Sequence, residues 1–401
     1  LVLLGITGTN GKTTTTYILE SILRSAGANP GVIGTVNYRY NGRVFAAPHT
    51  TPQAPELQAI LKEMAEGGVT HCVMEVSSHA LEQKRVGCCR FKAGVFTNLT
   101  HDHLDYHKTM DEYFRCKSLL FSNLHETGGA SVINIDDPWG KRLKETFADA
   151  LTFSLKQGAS VYPKNFSLLE GRTEAVIATP AGDVQVSSHL VGEYNLQNIL
   201  GAIAVASAIG IGKEAISKGI SALERVPGRL EKIESKGSRV FRAYVDYAHT
   251  GDALERALQA LRPVTSGRLI TVFGCGGNRD RLKRPKMAEI SARLSDFTIV
   301  TSDNPRDEDP LEIIKEVEAG IKGLRKFEPE SVPSEKGYMV VPDRKEAIRK
   351  AVALAGSGDT ILVAGKGHED YQIIKGVKHH FDDFEVIQEA IAEGAAQAAH
   401  Q

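Results

Sequence analysis

The stretch Gly8-Thr9-Asn10-Gly11-Lys12-Thr13-Thr14 restricts what this chain can fold into more than any other part of it. It follows an apolar run over residues 1–7 that predicts a strand, and it opens a helical pattern over 12–26. Between strand and helix, glycines let backbone N–H groups curl around phosphate oxygens, and the helix N-terminus adds partial positive charge. Lys12 then reaches the β and γ phosphates of a nucleotide, and the Thr13 hydroxyl suits Mg2+. The general phosphate-loop pattern sets a glycine at position 6. Ile6 stands there instead, and the shorter form beginning at Gly8 is the one met.

The rest of the chain repeats the strand-then-helix alternation, which predicts an α/β fold with mainly parallel sheets. Strands are expected at 69–76, 93–97 and 131–135, with a helix over 110–124. Residues 150–192 break the pattern with several short β-like runs, read as an antiparallel insert, and 196–209 reads as a buried helix. Pro227-Gly228 punctuates the chain after Val226 and predicts a boundary, with domains at 1–227 and 228–401. Beyond it, strands are expected at 241–246, 269–273, 297–301, 338–341 and 360–364, making a second, Rossmann-like α/β unit.

Composition narrows the function classes. A net charge of −1 offers no broad polyanion-binding surface, so nucleic acid is not an expected partner and phosphate recognition has to be local. No apolar run reaches the roughly 18–20 residues needed to span a bilayer, so no membrane partner is expected and a cytoplasmic setting is. The five cysteines follow no metal or disulfide spacing and read as free thiols.

Polar clusters fall at the carboxyl ends of the expected strands, where ligands bind in open α/β sheets. Glu75 closes the first of them, as a Mg2+ ligand or as an ordinary strand-end glutamate. The run Asn98 to His107 carries three His and two Asp between 101 and 107, at a spacing that matches no zinc pattern; solvated loop histidines are the plain alternative. In the second unit four clusters follow successive strands, at 246–249, 274–279, 303–306 and 365–369. Arg279, Arg306 and Glu369 among them suit a zwitterionic amino acid, since Arg clamps a carboxylate with two parallel hydrogen bonds.

Taken in order, GTNGKTTT at 8–15, HTTP at 49–52, MEVSSHAL at 74–81, TNLTHDHLDYH at 97–107, GEYNLQN at 192–198, VPGRLE at 226–231, DYAHT at 246–250, DNPR at 303–306 and GKGHED at 365–370 resemble the Mur ligases. The likeness is strongest to the diaminopimelate-adding branch and runs from residue 5 to about 385. It implies a central ATP-binding domain with Gly8, Thr9, Asn10, Gly11, Lys12, Thr13 and Thr14 on the phosphates, and Asn195 and Asn198 facing adenine. Arg229 and Asp246 would serve phosphates and ribose. Thr13, Glu75, His103 and a carbamylated Lys117 would hold Mg2+, with Lys12, Lys117, His103 and Glu75 as the catalytic set. Thr50, Thr51, Ser77, His79 and Arg85 would bind a UDP-MurNAc-dipeptide. In the C-terminal domain, Arg279, Asp303, Asn304, Pro305, Arg306, Gly365 and Glu369 would bind the incoming amino acid.

The resemblance further implies ATP and Mg2+ as cofactors, UDP-MurNAc-L-Ala-D-Glu and meso-diaminopimelate as substrates, and a monomer. Lysine-adding members tend to lack the arginine of DNPR, so Arg306 favours diaminopimelate. The family's uridine-gripping domain precedes the phosphate-loop strand, and this sequence starts at that strand, so a chain without that domain is expected. Rival readings are a lysine-adding relative, a folate-type polyglutamate ligase, and a nucleotide-binding protein without turnover.

Overall fold

The computed structural model describes residues 1–169, 171–235 and 240–399. The chain divides into two compact units, Leu1–Val226 and Pro227–Gln401.

The first unit is built on eight strands: β1 (Val2–Thr7), β2 (Pro30–Ile33), β3 (Asn37–Tyr40), β4 (Arg43–Ala46), β5 (His71–Glu75), β6 (Phe91–Phe96), β7 (Ala130–Asn134) and β8 (Leu151–Phe153). Their order is β4-β3-β2-β5-β1-β6-β7-β8. All neighbours are parallel except those made by β3 and β4, which form an antiparallel edge. The phosphate-loop strand β1 therefore lies mid-sheet, flanked by β5 and β6, and the expected ligand-bearing strand ends come together beside it. Three further strands, β9 (Tyr162–Leu169), β10 (Arg172–Ala178) and β11 (Val184–Ser188), make the antiparallel insert expected over 150–192.

Alternation along the strands sends side chains to two cores. Leu4, Ile6 and Val73 join Ile18, Ile22, Leu196 and Ile199 on one face. Leu3, Cys72 and Met74 join Leu57, Leu61, Leu120 and Phe121 on the other. The helix Glu193–Ala208 is apolar nearly all round because the sheet lies under it and other elements cover it. The helix Lys213–Ala222 packs on Lys12–Ser25 at backbone distance, since a Cβ on Gly219 would sit 2.4 Å from Ile22 Cα. Ser21 Oγ donates to the Gly219 carbonyl at 2.6 Å across the same contact.

The main sheet of the second unit holds seven strands: β12 (Glu231–Glu234), β13 (Arg242–Asp246), β14 (Leu269–Phe273), β15 (Phe297–Val300), β16 (Arg325–Phe327), β17 (Gly337–Val340) and β18 (Thr360–Ala364). They are ordered β12-β13-β18-β14-β15-β17-β16 and are parallel except at β12. A hairpin, β19 (Tyr371–Ile374) with β20 (Val377–His380), follows β18. The α/β expectation of parallel-dominated sheets therefore holds for both units. The sequence reading had named no strand for β2–β4, whose four-residue lengths give too little pattern to register. Among the described residues no helix is long and apolar enough to cross a membrane.

The Gly219 contact gives a test by sign. In an exposed helix, Gly→Ala stabilises by roughly 0.5–1 kcal/mol. Here Gly219→Ala should instead lower stability by about 1–3 kcal/mol through overpacking, read as a lower urea midpoint for the first unit.

Candidate functional site

The loop after β1 is stitched to the end of β6. Gly8 has φ +146° and Gly11 φ +86°. A Cβ on Gly8 would fall 1.8 Å from Thr97 Oγ1, and one on Gly11 would fall 2.3 Å from Asn198 Oδ1. The Thr9 N–H donates to Asn98 O at 2.9 Å and the Asn10 N–H to Asn98 Oδ1 at 3.0 Å. Lys12 Nζ donates to the carbonyls of Gly8 (3.0 Å) and Thr9 (2.8 Å), so its ammonium lies over the loop. Thr14 is buried in the first turn of the helix.

Glu75, at the end of β5, is buried and surrounded by donors. Its carboxylate accepts from Thr13 Oγ1 (3.0 Å), the Thr35 N–H (2.9 Å) and Thr35 Oγ1 (2.9 Å). Gly34 makes room, because a Cβ there would lie 2.6 Å from Glu75 Oε1. The sequence reading missed Gly34 and Thr35. Their only signal is that they follow an apolar strand, and four residues of strand were too few to mark it.

Lys117 points from the helix Met110–Thr127 at the same loop. Its Nζ donates to Gly8 O at 2.8 Å and sits 4.6 Å from the Tyr113 ring centroid. Burial, with the Lys12 charge second, pushes its pKa well below the ordinary lysine value. His103, at φ +53°, has its Nε2 3.4 Å from Asp102 Oδ2. Its pKa is pushed down to about 4, first by desolvation, with Asp102 opposing. Although 47% of its side-chain surface is open to solvent, the ring is neutral at physiological pH. Thr13 and Glu75 are thus in direct contact, while His103 turns to Asp102 and Lys117 to Gly8 O. In the sequence Asp102 stands only as one of the two Asp of the 101–107 run, with no separate role.

The residues expected around the dipeptide form one network. Thr51 Oγ1 donates to Glu75 O (2.8 Å), the Ser77 N–H donates to Thr51 Oγ1 (3.1 Å), and Arg85 Nη1 donates to Thr51 O (2.9 Å). Thr50 and Thr35 hydroxyls are 3.0 Å apart. The His79 ring packs against Tyr106, His107 and His103 at centroid distances of 4.2, 5.2 and 5.1 Å. Asn195 and Asn198 bond to each other (3.2 Å), and Asn195 also donates to Val191 O (2.9 Å).

In the second unit, Asp246 is pinned by the N–H groups of Leu230 (2.7 Å) and Ala248 (2.8 Å), and burial raises its pKa. Arg229 lies over the Tyr247 ring at 4.6 Å. The clusters after β14, β15 and β18 meet at their carboxyl ends. Lys366, fully buried, donates to Asn304 Oδ1 (3.1 Å) and stands 3.5 Å from Asp303 and 3.6 Å from Glu369. Asn304 Nδ2 donates to Glu369 Oε2 at 2.9 Å, and Gly365, at φ +120°, leaves 3.8 Å between its Cβ position and the Asp303 carboxyl. Burial first, then Asp303, raises the Glu369 pKa. Lys366 was not among the expected site residues; a lone lysine in a glycine-rich loop reads as solvated.

Arg306 takes φ +53°, held because its N–H donates to Ile373 O (3.0 Å) and its carbonyl accepts from the Lys375 N–H (2.7 Å). Its Nη1 donates to Gly277 O at 2.9 Å. Arg306 and Arg279 flank Gly276, whose Cβ position lies 2.8 Å from Arg306 Nη1 and 3.9 Å from Arg279 Cγ. Gly277 packs on the Pro305 carbonyl, 2.0 Å from its Cβ position. Arg284, buried behind this loop, binds Glu308 (2.8 Å) and Glu316 (2.8 Å).

Residues 6–206 match the Mur ligase middle domain and 228–367 the Mur ligase glutamate ligase domain. The UDP-N-acetylmuramoyl-L-alanyl-D-glutamate--2,6-diaminopimelate ligases of Geobacter metallireducens and Geobacter sulfurreducens are 48% and 50% identical, over 97% of this chain and 78% and 77% of theirs. A solved structure of a ligase of that name superposes with TM-score 0.69 at 34% identity, covering 98% of this chain and 79% of its own. MurF ligase from Thermotoga maritima in complex with ADP shares the fold, with TM-score 0.71 at 19% identity over 99% of this chain and 81% of its own.

Two measurements follow from the geometry. Gly8→Ala cannot keep the present loop, so ATP affinity by calorimetry should fall more than about 10-fold, roughly 1.4 kcal/mol. Glu308 is held down to about 2, first by Arg284 and then by the Asn278 N–H. A depressed carboxylate stabilises above its ordinary pKa of 4.5 and loses that contribution as pH falls toward 2. The second unit's melting temperature should drop over that window, and less steeply in Glu308→Gln.

Proposed function

Because the chain belongs to the Mur ligase family, we propose that it is the ATP-dependent ligase that joins meso-diaminopimelate to UDP-MurNAc-L-Ala-D-Glu in peptidoglycan precursor synthesis. The observation that carries this is the pairing of two sites of different chemistry on the two units. One has a cationic phosphate loop beside a buried carboxylate, and the other has paired carboxylates and paired arginines at the ends of β14, β15 and β18.

The first site suits phosphoryl transfer from ATP to the D-Glu γ-carboxylate, giving an acyl phosphate. The loop N–H groups and Lys12 hold the phosphates, and catalysis is positioning plus charge neutralisation rather than covalent chemistry. The Thr13 hydroxyl and the Glu75 carboxylate are hard oxygen donors in contact with one another, a set that fits Mg2+. When bound, Mg2+ supplies positive charge against the phosphate oxygens. His103, neutral at physiological pH, offers a nitrogen lone pair nearby.

Lys117 is suited to carbamylation. Burial and the Lys12 charge lower the pKa of this amine and so favour its neutral form, which adds CO2 at Nζ and releases one proton to solvent. The product is an anion, which turns the repulsion of Lys12 into attraction and provides oxygen donors for a cation. Thr50, Thr51, Ser77, His79 and Arg85 form the polar wall suited to the muramoyl-dipeptide. Asn195 and Asn198 are assigned to adenine, and Arg229 and Asp246 to the phosphates and ribose of ATP.

At the second site, Asp303 and Glu369 suit an ammonium group. Arg306 and Arg279 on either side of Gly276 suit carboxylates, with Asn304, Pro305 and Gly365 shaping the floor. Two guanidiniums match an amino acid with two carboxylates better than lysine. The amine attacks the acyl phosphate, a tetrahedral intermediate forms, and phosphate leaves as the amide closes. The same reading makes the enzyme a cytoplasmic monomer.

The test is phosphate release from ATP, Mg2+ and UDP-MurNAc-L-Ala-D-Glu, with meso-diaminopimelate or L-lysine added in parallel. Release that needs diaminopimelate supports the assignment, and Arg306→Ala should then cut kcat/KM for it about 100-fold, near 2.7 kcal/mol. Release with lysine would remove the role given to Arg306. No release with either, while ATP still binds, would defeat the ligase reading for this chain.

A further inference from the structure

Among the described residues, Glu82, His107 and Cys116 bring one carboxylate oxygen, one imidazole nitrogen and one thiol sulfur within 4.8 Å of one another. None of the three belongs to the donor set assigned to Mg2+. We infer that they form a second cation site, of borderline-soft character, that takes Zn2+ or a similar transition ion in preference to Mg2+.

The donor chemistry carries the selectivity. Thiolate and imidazole favour zinc-class ions, whereas Mg2+ requires oxygen ligands. Cys116 and His107 are buried, and Glu82, the exposed member, completes the set from the solvent side. Bonds of about 2.0–2.3 Å to a tetrahedral Zn2+ place its ligands roughly 3.3–3.8 Å apart. The three atoms therefore have to draw together on binding, and the exposed Glu82 side chain can turn toward the buried pair. Water takes the fourth position.

Two neighbours support the place. His107 Nε2 is 2.8 Å from Ser78 Oγ. An ion on Nδ1 would keep that bond as the tie that orients the ring, and an ion on Nε2 would replace the serine. The Arg115 guanidinium already bridges the other two donors, with Nη2 3.8 Å from Cys116 Sγ and 4.0 Å from Glu82 Oε1. A cation thus occupies this position through a side chain that is 54% exposed and is itself paired to Glu112, Nε to Oε2 at 2.8 Å. Binding breaks the S–H bond of Cys116, and its proton goes to solvent as the metal–sulfur bond forms. The bound ion would tie the segment after Glu75 to the helix that carries Lys117.

Co2+ is the probe, titrated into the full chain in the presence of millimolar Mg2+. The expected result is a near-ultraviolet thiolate-to-cobalt band with visible bands of tetrahedral intensity, at one equivalent, bleached by Zn2+. Glu82→Gln, a change at an exposed position that does not threaten folding, should weaken Co2+ at least 10-fold. Cys116→Ser should abolish the thiolate band, while Cys88→Ala, which removes the exposed thiol, should leave it unchanged. Arg115→Gln should tighten binding. Absence of the thiolate band in the parent chain, its loss with Cys88 rather than Cys116, or unchanged affinity in Glu82→Gln would each overturn the site.

Discussion

The missing side chain at Gly8 is the constraint on which the first unit's chemistry depends. It lets the chain leaving β1 lie against Thr97 and Asn98 at the end of β6, closer than any Cβ would allow. With the loop held there, the Gly8 carbonyl becomes the acceptor for two lysines from different elements, Lys12 and Lys117. A fully buried amine sharing one oxygen with the Lys12 ammonium is an arrangement that disfavours charge on Lys117 unless negative charge arrives. Triphosphate and a carbamate on Lys117 both answer that need. The loop is thus built with a charge imbalance that its proposed ligands correct.

The second unit solves a related problem with the signs reversed. Lys366 is buried outright, yet Asp303, Asn304, Glu369 and the Tyr371 carbonyl surround it. Two carboxylates close to one ammonium leave the cluster net negative, and burial together with Asp303 raises the Glu369 pKa. A second ammonium group, such as that of an amino acid, would relieve this. Nearby, Arg306 is kept in a left-handed conformation by backbone bonds to the β19 strand and the residue after it, so a hairpin with little core of its own positions the guanidinium.

Much of this was legible in the sequence, for physical reasons. Unbroken apolar runs in 1–7 and in 269–273 marked strands because buried parallel strands need apolar residues on both faces, and the glycines at 8 and 11 marked a loop that only they can form. Gly34 and Thr35 were not legible, because their role is to fit around Glu75 from a neighbouring strand and neither carries a chemical signature. Asp102 and Lys366 were passed over because a charged residue in a loop is normally solvated, and only burial and partners distinguish these two. Of the stretch at 150–192, the strands from Tyr162 to Ser188 are antiparallel as expected, whereas Leu151–Phe153 adds a parallel edge strand to the main sheet.

The sequence by itself determined the α/β alternation, the glycine loop between β1 and the helix after it, and the family, because each is written in local pattern or in motifs that keep their order along the chain. The tertiary structure alone decided which charges meet. The low pKa of Lys117 comes from burial beside Lys12, and the grip on Glu75 comes from donors 40 and 62 residues away. Glu82, His107 and Cys116 sit within reach of one another only because two short helices and a long helix pack together. Electrostatic energy depends on distance and local dielectric, and neither exists until the chain has folded.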